Sequence, residues 1–145
     1  MTDLLDVNVW LALADERHAH HSAALHYWEH EAADLAVFCR VTMLGFLRLI
    51  THSRMANPPL TAERAWEVYR DYLQATGVGF LQEPVGLEEK LAAFSTQATF
   101  RHCLWTDAYL AALAIASGCR LVSFDSDFQK FDGLKFLHLH PAVTR

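Results

Sequence analysis

The stretch Asp3-Leu4-Leu5-Asp6-Val7-Asn8-Val9-Trp10 predicts a short buried strand that ends in an acid and turns directly into a helix. We predict a strand over residues 3–7 and a helix from Val9, because the Asn8 side chain can cap the free amides of a helix start. A similar pattern recurs late in the chain, where an apolar run ends in Asp125. Acids placed directly after apolar strands point to a site at one edge of a sheet.

Strand-like and helical segments alternate along the rest of the chain. We predict further strands over residues 35–39, 80–81, 120–124 and 136–139. We predict further helices over residues 19–33, 43–50 with Thr42 as its cap, 62 to about 77 with Thr61 as its cap, 87–98, and from Thr106 or Asp107 to Gly118. This alternation predicts the α/β class, as one domain over residues 1–145 with a short parallel central sheet flanked by helices.

The composition indicates a protein with a buried core and without the overall basic charge of a typical nucleic-acid-binding protein. The 145 residues are 52% hydrophobic, which is enough for a buried core, and the formal net charge is −5. A protein that binds nucleic acid through the phosphates alone normally carries a net positive charge. Any contact with nucleic acid must therefore come from a local patch of basic residues or from bound metal ions.

The cysteines and the hydropathy pattern indicate a cytoplasmic protein. Cys39, Cys103 and Cys119 form an odd set without a Cys-x-x-Cys pair, which argues against a disulfide framework and a thiolate zinc site. The first residues lack the basic region of a signal peptide. No stretch approaches the roughly 18 apolar residues that a membrane span requires, so we expect no membrane association.

Four acids have a spacing that suggests one common site. Asp6 closes the apolar run Leu4-Leu5 in the first predicted strand, and Asp125 directly follows the strand predicted over residues 120–124. Asp107 lies in the first turn of a predicted helix, and Asp127 comes two residues after Asp125. Each has an ordinary alternative role in helix capping or in a turn. Taken together they point to a cluster that binds Mg²⁺ or Mn²⁺, because hard divalent cations prefer oxygen ligands. Metal-assisted hydrolysis of a phosphodiester is the chemistry that fits such a cluster.

Several segments resemble PIN-domain ribonucleases, in particular the VapC-type toxins of bacterial toxin–antitoxin pairs. The matching segments are residues 4–13, His18 and His21 with Ala24 and Trp28, Gly45-Phe46-Leu47-Arg48, Trp105-Thr106-Asp107-Ala108-Tyr109-Leu110-Ala111-Ala112, and Leu121-Val122-Ser123-Phe124-Asp125 with Asp127-Phe128. They occur in the family's order and extend over nearly the whole chain.

The resemblance implies an α/β/α domain, Mg²⁺- or Mn²⁺-dependent cleavage of RNA, a homodimer, and inhibition by a small cognate antitoxin. It also implies that the catalytic, metal-binding acids are Asp6, Asp107 and Asp125. Asp127 matches a further position that is often acidic. Asn8 and Thr106 match polar residues that support the site.

One position departs from the family pattern. The family normally carries a glutamate at the start of the third helix, in a Thr-Glu-x-Gly-Phe motif, and this chain has Thr42-Met43-Leu44-Gly45-Phe46. The Met43 thioether does not bind a hard cation as a carboxylate does. The alternative to an active nuclease is therefore a weakened or inactive module of the same fold that still binds RNA or the antitoxin.

Three further interpretations remain open. Arg48 and Arg54 flank the third helix and the following loop, where they could contact RNA phosphates. His18 and His21 are three residues apart and could share a helix face as zinc ligands, although no third ligand is evident nearby. A phosphatase with Asp6 as its nucleophile is a weak alternative, since Asn8 stands where such enzymes have a second aspartate.

Overall fold

The structure, a computed structural model, describes residues 1–56 and 58–141. Within these residues five strands form one sheet: β1 (Thr2–Leu5), β2 (Leu35–Phe38), β3 (Val78–Phe80), β4 (Arg120–Ser123) and β5 (Phe136–His138). The same residues contain six α-helices: α1 (Val7–Ala14), α2 (His21–His30), α3 (Arg40–Ile50), α4 (Ala62–Gln74), α5 (Leu87–Ser95) and α6 (Trp105–Ser117). In this part of the chain no helix is long and apolar enough to cross a bilayer.

The sheet is entirely parallel, with the strand order β3-β2-β1-β4-β5. From the central strand β1 the chain builds outward through β2 and β3, and then places β4 and β5 on the other side of β1. Leu5 of β1 lies opposite Val122 of β4. The direction of winding thus changes between β1 and β4, and the carboxyl ends of such strands are where open α/β sheets form their sites.

Side chains that alternate along the strands create two cores, one on each face of the sheet. Leu5 and Val122 face a core completed by α1, α2, α3 and α4, whereas Leu4 and Leu121 face a core completed by α5 and α6. In the first core the Trp10 ring stacks on Phe38 with 3.9 Å between ring centroids. The predicted α/β class, with a parallel sheet between helical layers, is confirmed.

Two predicted helix starts are wrong. Helix α1 begins at Val7, and its cap is Asp6, whose side chain accepts a hydrogen bond from the Val7 amide; Asn8 is already inside the helix. Helix α3 begins at Arg40 after Cys39, and the Thr42 hydroxyl accepts from the Cys39 amide at 2.9 Å. The Thr42 side chain reaches back from the third helical position, as in a capping box. The other elements occur in the predicted order, with ends shifted by a few residues.

Helix α6 ends as the sequence predicts. Gly118 is its C-terminal cap, and its φ of 70° lies in the left-handed region, where glycine carries no Cβ penalty. The turn at Gly118 reverses the chain and leads into β4 two residues later. Because α6 therefore runs opposite to β4, the first turn of α6 lies at the carboxyl edge of the sheet.

Candidate active site at the carboxyl edge of the sheet

The fold brings the four predicted acids to one edge of the sheet. Asp6 directly follows β1, and Asp125 comes two residues after β4. Asp107 is in the first turn of α6, and Asp127 lies in a 3-10 turn, Ser126–Lys130, that follows β4. The strands on either side of the switch point supply two of these acids, and the helix and turn attached to β4 supply the other two.

Asp6 both caps a helix and faces the site. One of its carboxylate oxygens, Oδ1, accepts from the Val7 amide at 2.7 Å, and Oδ2 accepts from the Ser123 hydroxyl at 2.7 Å. Its own amide donates to the Val122 carbonyl at 2.9 Å, which fixes Asp6 beside the end of β4. Capping was the alternative role for this acid, and in the structure that role holds the carboxylate in place.

Ser123 is a buried hub that the sequence analysis missed. The side chain is fully buried, and besides donating to Asp6 its Oγ accepts from the Asp125 amide at 2.9 Å and from Asn8 Nδ2 at 3.2 Å. The available signal was a lone hydroxyl within the apolar run Leu121-Val122-Ser123-Phe124, which leads directly to Asp125. Asn8, predicted as a supporting residue, reaches this hub from the first turn of α1.

The two acids after β4 are linked through the backbone. The Asp127 amide donates to Asp125 Oδ1 at 2.9 Å, which closes a tight turn. Lys130 Nζ lies 3.4 Å from Asp127 Oδ1, with both side chains at least half exposed. At that exposure the ion pair contributes little stability. It does place one positive charge at the rim of the acid cluster.

The cluster is under electrostatic strain. Desolvation first, and then repulsion by Asp6, Asp125 and Asp127, raise the pKa of Asp107 to about 6, while Lys130 opposes the rise. Burial also raises the pKa of Asp6, against hydrogen bonds from Ser123 and Val7, and the charge on Asp125 raises it further. Carboxylates that hinder one another's ionisation in this way gain from a cation placed among them.

The donor set fits a hard divalent cation in charge and chemistry. It offers only carboxylate oxygens, and the engaged oxygens of Asp6 and Asp125 each keep a further lone pair. Across residues 1–56 and 58–141, however, no three His, Cys, Asp or Glu side chains already stand in an arrangement that would hold a metal ion. Metal binding would therefore require the carboxylates to turn toward a common point.

Met43 occupies the core, where the family pattern has a glutamate. It lies in the first turn of α3, is 4% exposed, and packs in the core below α1. Its Sδ lies 3.2 Å from Arg40 Nη1. Helix α3 crosses α1 closely at Gly45, because a Cβ at this glycine would lie 2.7 Å from Val7 Cγ2, next to Asp6. Met43 thus packs near the site and contributes no oxygen ligand.

The other predicted site residues lie less close to the acids. Thr106 is exposed in the first turn of α6, beside Asp107. Arg48 is exposed in the last turn of α3. Arg54 lines a different cavity with Asp15, at the far end of α1. Among the described residues neither arginine makes an ion pair with any of the four acids.

The histidines have ordinary contacts. A ring nitrogen of His21, Nδ1, lies 2.7 Å from the Ala12 carbonyl, which suits a hydrogen bond that anchors α2 to α1. Burial lowers the pKa of His18, and the neighbouring His20 lowers it further. The zinc interpretation gains no support among the described residues.

Comparison with known proteins identifies the family. Residues 4–134 match the PIN domain. The chain belongs to the PIN-domain family. Over 138 residues it is 36% identical to ribonuclease VapC41 of Mycobacterium tuberculosis, covering 91% of this chain and 94% of that protein. Over 135 residues it is 32% identical to ribonuclease VapC37 of the same organism, covering 92% of this chain and 94% of that protein. The resemblance to VapC-type PIN-domain ribonucleases is confirmed.

Solved structures share the PIN fold. The M. tuberculosis toxin VapC20, described as cleaving the sarcin–ricin loop, matches with a TM-score of 0.64 at 19% identity, over 88% of this chain and 92% of that one. VapBC2 of Rickettsia felis, solved with a promoter DNA fragment, matches with a TM-score of 0.69 at 12% identity, over 97% and 100%. At such identities these likenesses establish the fold alone.

Proposed function

We propose that this PIN domain is a Mg²⁺- or Mn²⁺-dependent endoribonuclease that acts as the toxin of a type II toxin–antitoxin pair. The observation that carries the proposal is the set of four acids at the switch point of the sheet, with Asp107 strained by the other three. Relatives named as ribonucleases, at 36% and 32% identity over most of the chain, support the same activity.

In this proposal Asp6, Asp107 and Asp125 hold the cation, and Asp127 completes the set. The bound cation would neutralise the substrate phosphate and lower the pKa of an attacking water. The chain's own contribution is preorganisation, because the Ser123 hydroxyl and the Val7 amide fix the Asp6 carboxylate before substrate arrives. Asn8 steadies the same hydroxyl, and we assign Thr106 a supporting role beside Asp107.

The proposed partners follow from the relatives and from the surface. A toxin–antitoxin complex from Klebsiella pneumoniae shares the fold, with a TM-score of 0.63 at 14% identity, and we propose a small cognate antitoxin here too. An antitoxin arginine suits the acid cluster, because its guanidinium pairs bidentately with carboxylates. Leu44 on α3 is 56% exposed and Trp66 on α4 is 40% exposed, which supports burial in a homodimer. We place the pair in the cytoplasm.

The test is a cleavage assay with purified protein and a labelled single-stranded RNA. We expect cleavage with Mn²⁺ or Mg²⁺, no cleavage with EDTA, and a loss of at least about a hundredfold in Asp125→Asn. Asp132→Asn is the matched control, because Asp132 is an exposed acid in a turn near the end of the chain. Equal loss in both variants, or cleavage that persists in EDTA, would refute a carboxylate-bound metal site.

The burial of Met43 favours a second candidate, an RNA- or antitoxin-binding module with weak or no catalysis. At 4% exposure the thioether is a core side chain, so the position supplies volume in place of charge. The same assay separates the two candidates. A protein that binds RNA or antitoxin but cleaves nothing at any Mn²⁺ concentration would be the module.

A further inference from the structure

A cleft of about 620 Å³ adjoins the acid cluster. One wall is the segment between α5 and α6, which supplies Phe100 and Arg101. The other is the 3-10 turn after β4 and the residue that follows it, which supply Asp127, Lys130 and Phe131. Pockets that take small ligands occupy about 300–1,000 Å³, so one nucleotide is within its capacity.

We propose that this cleft holds one nucleotide of a single-stranded RNA, adjacent to the phosphate at the acid cluster. Arg101 and Lys130 contact the RNA backbone, and Phe100 and Phe131 offer surfaces on which the base stacks. The inference rests on the proposed nuclease function and goes beyond it by assigning a substrate subsite and four contact residues.

Aromatic side chains give the cleft its affinity for a base. Phe131 packs edge-on against the buried Phe94, with 5.0 Å between centroids, and Phe100 packs edge-on against Trp105 at 4.9 Å. Phe100 and Phe131 are themselves only partly buried, so part of each ring stays accessible. Stacking on such rings tolerates every base, because all four bases have a flat π surface.

Local charge makes RNA the fitting occupant. The chain has a net charge of −5 and only 12 Lys and Arg residues, and two of these, Arg101 and Lys130, line the same cleft. A guanidinium binds a phosphate through two parallel hydrogen bonds. These cations offset the repulsion between the acids and a polyanion. Inside the cleft itself the two cations favour a polyanion over a basic protein segment, whereas an antitoxin arginine would pair with the acid cluster beside the cleft.

The cleft and the acid cluster share a residue. Asp127 lines the cleft, and its charge raises the pKa of Asp107 within the cluster. An RNA strand that runs from the cleft to the acid cluster therefore passes over Asp127. A nucleotide in the cleft would hold the neighbouring phosphate at the acids, which is the positioning role that a hydrolytic site needs.

The experiment uses Arg101→Ala, with Arg70→Ala as the matched control. Arg101 makes no ion pair within the described residues, whereas Lys130 pairs with an acid of the site and is the less clean choice. Arg70 is exposed on α4 and lies over the Trp66 ring, away from the cleft. Binding is measured by anisotropy of a fluorescein-labelled single-stranded oligoribonucleotide in an Asp125→Asn background, over a salt series with Mg²⁺ present. Cleavage kinetics are measured in otherwise wild-type protein.

We expect Arg101→Ala to weaken RNA binding about tenfold and to reduce the slope of log affinity against log salt by about 0.7, as for one lost phosphate contact on a single strand. KM should rise with kcat nearly unchanged. Phe100→Leu, which keeps apolar volume but removes the ring, should weaken binding at least fivefold. Arg70→Ala should change neither quantity, and thermal unfolding of each variant checks that it is folded.

The outcomes separate this inference from the function on which it rests. If wild-type protein cleaves RNA and Arg101→Ala matches Arg70→Ala in binding and KM, the subsite is refuted and the nuclease stands. If wild-type protein does not cleave but Arg101→Ala still loses RNA binding, the subsite stands and the nuclease fails. Absence of RNA binding in wild-type protein overturns both. Arg101→Ala that weakens only antitoxin binding would reassign the cleft to the partner protein.

Discussion

Replacing Asp107 with Asn should stabilise the metal-free protein at neutral pH. The pKa of Asp107 rises from its ordinary 3.8 to about 6, because of burial first and then repulsion by Asp6, Asp125 and Asp127. A rise of about two pKa units corresponds to about 3 kcal/mol of penalty on the ionised form. Because the side chain is partly open to solvent, screening reduces this figure, and we expect a gain of about 1–2 kcal/mol in the free energy of unfolding.

The gain should depend on pH in a defined direction. The unfolded chain releases the Asp107 proton near pH 4, whereas the folded chain keeps it until about pH 6. Between these values the folded state binds more protons, so wild-type stability falls as pH rises. Asparagine has no such proton. The advantage of Asp107→Asn is therefore absent at pH 4, grows up to about pH 6, and is complete at pH 7.5.

The assay is thermal and urea unfolding in EDTA at pH 4 and pH 7.5, with Asp132→Asn as the control. For a chain of this length, 1–2 kcal/mol corresponds to a rise in Tm of roughly 3–7 °C at pH 7.5. Adding Mn²⁺ should raise the Tm of wild-type protein more than that of Asp107→Asn, since an ion that binds only the folded state stabilises it. Asp132→Asn should match wild type under all three conditions.

Two results would refute this reasoning. A loss of stability in Asp107→Asn at pH 7.5 would show that the carboxylate makes a favourable contact. A gain of equal size at pH 4 and pH 7.5 would show that the effect does not come from ionisation. Equal Mn²⁺-induced Tm shifts in wild type and Asp107→Asn would show that Asp107 is not a metal ligand. They would leave the argument from electrostatic repulsion unchanged.

Three further predictions test other parts of the edge and of the sheet. Met43→Glu should raise RNA cleavage in Mn²⁺ by at least about tenfold, or about 1.4 kcal/mol of transition-state stabilisation. The same substitution should lower the stability of the metal-free protein, because it buries a carboxylate. Equal cleavage by both proteins across a Mn²⁺ titration would refute this prediction. Ser123→Ala should cost about 1–3 kcal/mol in urea unfolding and weaken metal binding, because the Asp125 amide loses its buried acceptor. Asp3→Asn should lower the free energy of unfolding by about 3 kcal/mol, because it breaks a buried ion pair with Arg120. The Mn²⁺-induced Tm shift should stay intact, and its loss would show that Asp3 affects metal binding at the opposite edge of the sheet.

The sheet and the acids were predictable because both depend on simple patterns. Short apolar runs, of two to five residues, alternate with helical segments. Asp6 and Asp125 each end such a run, and acids at strand ends fall at the same edge of a parallel sheet. Asp107 follows from the direction of its helix, since Gly118 stops α6 and the chain must reverse into β4. These inferences need only the order of the elements.

The contacts that hold the acids in place were not predictable in the same way. Cys39 is outside the usual set of capping residues, so the sequence predicts Thr42 as the cap, whereas in the structure Thr42 supports the Cys39 cap from within the helix. Ser123 looked like one more strand residue, because nothing local shows that three polar groups converge on it. Arg101 and Lys130 are far apart in sequence, and only tertiary packing places them in one cleft.

Helix α2 shows how a distant partner overrides periodicity. From the sequence, the spacing of four, three and four between His21, Leu25, Trp28 and Ala32 predicts one face of this helix. In the structure Leu25 is 39% exposed, whereas Tyr27 is fully buried. The Tyr27 hydroxyl donates to Asp3 Oδ2 in β1 at 2.6 Å, while Trp28 and Ala32 pack against the same core as Tyr27. A buried acid in another element thus brings Tyr27 into the packed face of α2, and Leu25 falls outside it.

Two aspartates, Asp3 within β1 and Asp6 directly after it, show how partners decide the role of an acid. Asp3 is fully buried, and it accepts from Arg120, from the Tyr27 hydroxyl and from the Ala33 amide. Asp6 accepts one hydrogen bond from a hydroxyl and one from an amide, and within the described residues it makes no ion pair. The negative charge of Asp3 is compensated inside the fold, so its removal should destabilise the protein. The charges around Asp6 and Asp107 are offset only in part, by Lys130 at the rim, so neutralising Asp107 should stabilise the metal-free protein at the cost of the site's chemistry. Opposite signs for Asp3→Asn and Asp107→Asn at pH 7.5 would follow from this difference alone, because Arg120 pairs directly with Asp3, whereas Lys130 reaches the acid cluster only from its rim.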